Sequence, residues 1–195
     1  MHLEKRKSVW FLGGEQNYCI ELEHLKEELK MNKNSPSIPW IDVIAESASD
    51  YARQTLFKDL FHDSMNKNRI TESNLTSLSG SYLLLTANKS DIELGFLSDE
   101  SVLMDLARTI LSVSPEVIIP RLDMMDAVNE VINIISGGVK SRVNDQITGG
   151  IVLGIPYFLE GDAVQKKIQQ GAVETIDFAG MPVTLYVREE TQDNL

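Results

Sequence analysis

Hydrophobic residues recur along this chain with two periods, and each change of period marks an element. Val9, Trp10, Phe11 and Leu12 form a short apolar run stopped by Gly13 and Gly14. Tyr18, Leu22, Leu25 and Leu29 then repeat at helical spacing, with charges on the opposite side. Residues 32–37 are polar, contain Pro36 and read as a linker. Beyond it, Ile41, Ile44, Ala48, Tyr51, Ala52, Leu56 and Leu60 line one side of a helix expected over 41–61, and residues 66–74 are polar and loop-like. Residues 78–86 and 91–97 read as strands of a hairpin that turns at 88–90. Ser98 reads as the N-cap of a helix reaching Leu111, with Asp99 and Glu100 in its first turn. Pro115 and Pro120 bracket the next connection. A long helix follows over 122–144, then strands over 147–156 and 172–178, a turn at 179–182 and a last alternating strand at 183–188.

Helix, strand, strand, helix is followed by helix and three strands, a loose duplication of a helix–strand–strand unit. Hairpins outnumber crossovers, so the expected class is α+β: a mostly antiparallel sheet with long helices packed on one face. Residues 1–34 are expected to form an N-terminal extension, a short strand plus an amphipathic helix, and residues 35–195 the main domain. The extension either packs on that domain or serves as a docking or exchanged arm. The strand at 183–188 is expected at a sheet edge, where a second copy of the chain can pair.

Charge and composition narrow the function. The 195 residues include 43% from the hydrophobic set, enough for a core, and carry a net charge of −11. The first 34 residues are balanced, so the whole excess lies in the main domain. An acidic domain disfavours nucleic acid and anionic membrane surfaces as partners. No run approaches the roughly 20 apolar residues of a membrane helix. Gly13, Gly14 and Glu15 interrupt the apolar stretch a leader peptide would need, and a cytoplasmic protein is expected. One cysteine, Cys19, excludes an intrachain disulfide, and the separated His2, His24 and His62 argue against a histidine metal site. No phosphate loop follows Gly13-Gly14 or Gly149-Gly150, and Ser79-Gly80-Ser81 lacks a nucleophile elbow.

The segment from Asp123 to Gly138 carries the candidate chemistry. At about 100° per residue, Asp126, Glu130, Asn133 and Gly137 fall within a sector of roughly 60°. Val128, Ile132, Ile135, Val139 and Val143 form the opposite, core-facing stripe. Carboxylates and an amide on a helix face are also what ordinary wet surface looks like. Two features set this ridge apart. No lysine or arginine stands three or four residues from Glu130, and Asp126 and Glu130 set like charges at i, i+4. Asn133, Ser136, Gly137 and Gly138 are also poor choices for an exposed helix interior, where each glycine costs roughly 1 kcal/mol relative to alanine. An unpaired acidic ridge beside side-chain-free positions suits the close approach of a partner's basic group.

Asp126-x-x-x-Glu130-x-x-Asn133-x-x-x-Gly137, with Pro156 ending the strand Gly150-Ile-Val-Leu-Gly-Ile-Pro156, resembles the signature of the CheC/CheX/FliY phosphatases of bacterial chemotaxis. The element order matches over about residues 38–190. Only one Glu-x-x-Asn helix is present: the first helix offers Glu46-Ser47-Ala48-Ser49, with serine in the amide's place, so the chain is most similar to the single-motif CheX type. The resemblance implies a CheC-like fold and hydrolysis of the aspartyl phosphate of a CheY-like response regulator. It implies that Asn133 orients the attacking water and Glu130 pairs with a partner lysine, with Asp126 and Gly137 as partner-binding positions. The chain would need no metal or cofactor of its own, because Mg²⁺ belongs to the partner, and a homodimer is expected. The alternatives are a non-catalytic module docking a response regulator or flagellar-switch component, and a structural domain whose ridge is merely wet.

Overall fold

The computed structural model describes residues 38–56, 77–88 and 90–191. The elements are α1 (Trp40–Thr55), β1 (Leu78–Ala87), β2 (Ser90–Asp99), α2 (Glu100–Ile110), α3 (Arg121–Val143), β3 (Ile151–Leu153), β4 (Tyr157–Glu160), α4 (Asp162–Ile168), β5 (Ala172–Phe178) and β6 (Met181–Thr191). A 3₁₀ turn over Asn144–Gln146 follows α3. Expectations for the extension at 1–34, for the first helix beyond residue 56 and for the loop at 66–74 lie outside the described residues.

The expected α+β class holds. One six-stranded sheet runs in the order β3–β1–β2–β6–β5, with β4 also on β1, and every pairing is antiparallel. Its face bearing Ser81, Phe96 and Leu185 is covered by α1 and α3, with α2 against α3. Ile44, Val128, Ile132, Ile135, Val139, Leu94 and Phe96 are completely buried there. Tyr51 stacks on Phe178 at 6.2 Å between ring centres, and Phe96 meets Phe178 edge-on at 5.0 Å. The short helix α4 lies on the opposite face, where Val164 and Ile168 pack with Leu78, Tyr82, Leu97 and Tyr186.

Three expectations are corrected, and one helix appears for which the pattern gave none. Ser98 is not a cap: it is buried in β2 and donates to the Pro182 carbonyl at 2.6 Å, so Asp99 occupies the N-cap position. Its hydroxyl found a partner across the sheet, which local sequence does not reveal. The strand expected over 147–156 begins only at Ile151, because Gly149 and Gly150 adopt positive φ of 87° and 72° in a turn. It also breaks at residues 154–156 and resumes as β4. The last strand is not an edge: β6 lies between β2 and β5, and among the described residues the edges are β5 and the broken strand β3/β4. A small helix, α4, occupies residues whose period was too short to read as helix. Trp40 and Tyr186 are both core residues.

Candidate functional site

The ridge is built on α3, a helix of 23 residues held from three sides. Beneath it, Val128, Ile132, Ile135, Val139 and Val143 are buried as the periodicity predicts, joined by Met124, Ala127 and Val131. Its start is tied by Arg121, whose Nε lies 3.0 Å from Glu100 and whose other nitrogen reaches Glu160 at the end of β4. Ser81 in β1 donates to Asn129 Oδ1 at 2.8 Å. At the far end, the Ile151 amide donates to Asn144 Oδ1 at 3.1 Å. Arg142 reaches back to α1, contacting Asp50 and lying 3.8 Å from Glu46.

Asp126 and Glu130 are exposed, and Asn133 and Gly137 are half-buried. All four share the outer side of α3, and Glu130 and Asn133 stand one helical turn apart. None of the three side chains makes a hydrogen bond or ion pair with another described residue. Glu130 faces the flank of α1: burial, and then the Glu130 carboxylate, raise the Tyr51 phenol above its ordinary pKa. Asn133 stands about 60° further round the helix on the side away from α1, one turn beyond Asn129, which reaches the sheet.

The glycine pair divides in two. A Cβ on Gly138 would stand 3.3 Å from Ser47 Cβ of α1, so this glycine serves helix–helix packing inside the fold. A Cβ on Gly137 would meet nothing within 4 Å. Ser136 is buried as well, with its hydroxyl unpartnered among the described residues. The flat patch expected beside the ridge is thus Gly137 alone. In α1, Glu46 is drawn toward Arg142 and Ser49 donates to the Ala45 carbonyl at 2.9 Å, so the serine is turned onto its own helix. Among the described residues no group of three or more His, Cys, Asp or Glu side chains could hold a metal ion, and no helix is long and apolar enough to cross a membrane.

The periodicity of the chain did not reveal that the edge strand β3/β4 is bulged. From Leu153, paired with Leu85, to Tyr157, paired with Tyr82, the edge takes four steps where β1 takes three. One extra residue is therefore inserted at Gly154–Pro156. The Gly154 amide donates to the Leu84 carbonyl at 2.7 Å, and a Cβ there would come within 2.8 Å of that oxygen. The sequence signal was Gly154 and Pro156 bracketing Ile155 inside an apolar run.

This α+β fold is shared with solved CheX and CheC-like proteins. The CheX protein of Vibrio vulnificus superposes with a TM-score of 0.55 at 12% identity, over 78% of this chain and 97% of its own. A CheC-like superfamily protein from Shewanella sp. PV-4 gives 0.55 at 15% identity, over 79% and 99%. The CheX of a CheX–CheY–BeF₃–Mg²⁺ complex from Borrelia burgdorferi gives 0.53 at 14% identity, over 78% and 99%. No curated protein matches the chain. The family described as "Chemotaxis phosphatase CheX" matches residues 86–179, slightly less than half of the chain. The chain thus has the fold of these proteins and is similar to the CheX family over residues 86–179, as the resemblance read from the ridge expects.

Proposed function

We propose that residues 35–195 act as a CheX-like phosphatase on the aspartyl phosphate of a CheY-like response regulator. The observation that carries this reading is the pairing of Glu130 and Asn133. They lie one turn apart on the outer side of a helix braced from behind, and neither is hydrogen-bonded nor ion-paired to another described residue. The CheX match over residues 86–179 supports the phosphatase class. A CheX from Borrelia burgdorferi, similar to this chain in fold, is known in complex with CheY, which supports the partner class.

In this mechanism the ridge enters the partner's phosphorylated pocket. The Asn133 carboxamide accepts a hydrogen bond from water and donates one to the phosphoryl group, so it holds the water in line without itself becoming charged. Water attacks phosphorus, the bond from phosphorus to the aspartyl oxygen breaks, and the partner's carboxylate leaves with the electron pair. Phosphoryl transfer gains most from positioning and charge compensation, so a group that contributes no covalent step can still carry the rate. Glu130 pairs with a lysine of the partner. Asp126, one turn earlier, adds to the negative field that draws this lysine in, and Gly137 lets the partner's backbone approach. The magnesium ion belongs to the partner.

We propose a homodimer as well. If it forms by strand pairing, the edges available among the described residues are β5 and β3/β4, not β6.

The test is phosphate release from a CheY-type receiver loaded with acetyl phosphate, with the native chain and Asn133→Ala side by side. Release stimulated by the native chain and lost in the variant is expected. Binding without stimulated release would instead select the non-catalytic docking module.

A further inference from the structure

The broken edge strand and α3 run alongside one another, and three contacts give their relative register. Arg121 is bound to Glu160, Asn129 to Ser81, which pairs with Phe158, and Asn144 to the amide of Ile151. The helix from 121 to 143 rises about 34 Å at 1.5 Å per residue. The strand from Glu160 back to Ile151 covers about 30 Å at 3.3 Å per residue. The two elements therefore keep pace, and Asn133, about half way along the helix, falls level with the middle of the bulge. At that point stands Ile155, 87% exposed.

An isoleucine this exposed in a sheet edge is unusual, and the bulge holding it is constructed. The extra residue needs Gly154 for the close approach to Leu84, and Pro156 removes an amide donor that would otherwise continue the ladder. Bulges at sheet edges commonly re-aim a side chain beside a functional site. Asn133 lies on the flank of α3 turned toward this edge, while Gly138 and Arg142 on the other flank meet α1. A protein whose phosphorylated pocket receives Asn133 is thereby brought level with the exposed Ile155.

We propose that Ile155 is a partner-docking residue, packing against an apolar patch that borders the phosphorylation pocket of the receiver. The bulge Gly154–Pro156 then forms the second wall of the site, opposite the acidic ridge. This rests on the reading of the ridge given above. Glu130 supplies the charged contact and Ile155 the apolar one, so a receiver is selected by having a lysine and an apolar patch on two sides of its aspartyl phosphate.

The experiment follows phosphate release at varied concentrations of a CheY-type receiver loaded with acetyl phosphate, together with a direct binding titration. It compares the native chain, Ile155→Ser, Ile155→Asp and Asn133→Ala. The expected result is a KM and Kd raised about 5- to 20-fold in Ile155→Ser and further in Ile155→Asp, with kcat within twofold of native. Asn133→Ala should lose kcat instead. Native stimulation with unchanged KM and Kd in Ile155→Asp would overturn the proposal while leaving the reading of the ridge intact. A native chain that binds without stimulating release would overturn the catalytic reading, and Ile155 would still be judged by Kd. No binding by the native chain would overturn both. Sedimentation of the same variants provides a further check: a dimer dissociated by Ile155→Asp with KM unchanged would give the bulge to a second copy and overturn the proposal. Thermal melts should match native, because so exposed a side chain contributes little to the core.

Discussion

Ser81 Oγ donates to Asn129 Oδ1 at 2.8 Å, and this bond fixes how α3 is rotated above the sheet. Asn129 is one turn before Asn133, so its anchoring to β1 keeps Asn133 on the flank facing the bulged edge while Glu130 stays outward. Ser81 is completely buried, and Ser81→Ala leaves a half-buried amide without its donor. The expected loss is about 1–2 kcal/mol, read from the urea midpoint. If the rotation matters to function, the variant should also turn over more slowly than its lost stability explains.

Asn133→Ala should leave stability within about 0.5 kcal/mol of native, because its side chain is half-buried and has no hydrogen-bond partner among the described residues. Stimulated phosphate release should fall on the order of 100-fold, the effect of removing one transition-state donor. A variant that stays folded and retains full activity would remove Asn133 from the mechanism.

Glu130→Lys should act on docking rather than chemistry. It places a positive charge where the partner's lysine is expected, so KM should rise about tenfold or more while kcat changes little. Raising the salt concentration should narrow the gap between native and variant, because the contact is exposed and screened. A salt-independent defect would mean that Glu130 acts through packing.

The two neighbouring glycines should respond in opposite ways. Gly137→Ala meets open space within a helix, so it should stabilise the fold by about 0.5–1 kcal/mol, yet raise KM if a partner surface comes close there. Gly138→Leu must displace Ser47 and α1, and should cost about 1–3 kcal/mol by overpacking. Urea unfolding of the two variants checks the contrast directly.

Alkaline pH should expose the polar cluster on the α4 side of the sheet. Lys167 Nζ lies 2.5 Å from Glu93 Oε1, and Tyr157 donates its hydroxyl to the same carboxylate. Burial first, and the Glu93 charge in addition, push the Tyr186 phenol up to about 12, and the Tyr82 and Tyr157 phenols are raised too. Tyrosines in the unfolded chain ionise near pH 10, so the native state holds these protons more tightly. The Tyr186 contribution to stability is fully present below about pH 10 and is lost as pH rises toward 12, and the contributions of Tyr82 and Tyr157 decline over the same rise. Urea midpoints across this window should fall, and Tyr157→Phe should fall less steeply.

The ridge was legible because α3 keeps one period along its length. Five buried residues, Val128, Ile132, Ile135, Val139 and Val143, fix one side of the helix, and the positions of Asp126, Glu130 and Asn133 follow from the 3.6-residue turn. The hairpin at 88–90 and the strands at 172–178 and 183–188 were equally local, each given by alternation and turn residues. Ser98 misled because its hydroxyl pairs with Pro182 across the sheet, a contact separated by 84 positions. Gly138 misled because the surface that comes close to it is α1 of the same chain.

The sequence alone determined which residues share a helix face, the α+β class and the acidic character of the ridge, since these depend on periods of two and 3.6 and on counted charge. Tertiary structure decided the rest. It put β6 inside the sheet, α4 on the far face, Gly138 against Ser47 and the bulge at Ile155 level with Asn133. These features arise from pairing between distant segments, where the register of one strand on another sets what each side chain meets, and local pattern carries no record of that register.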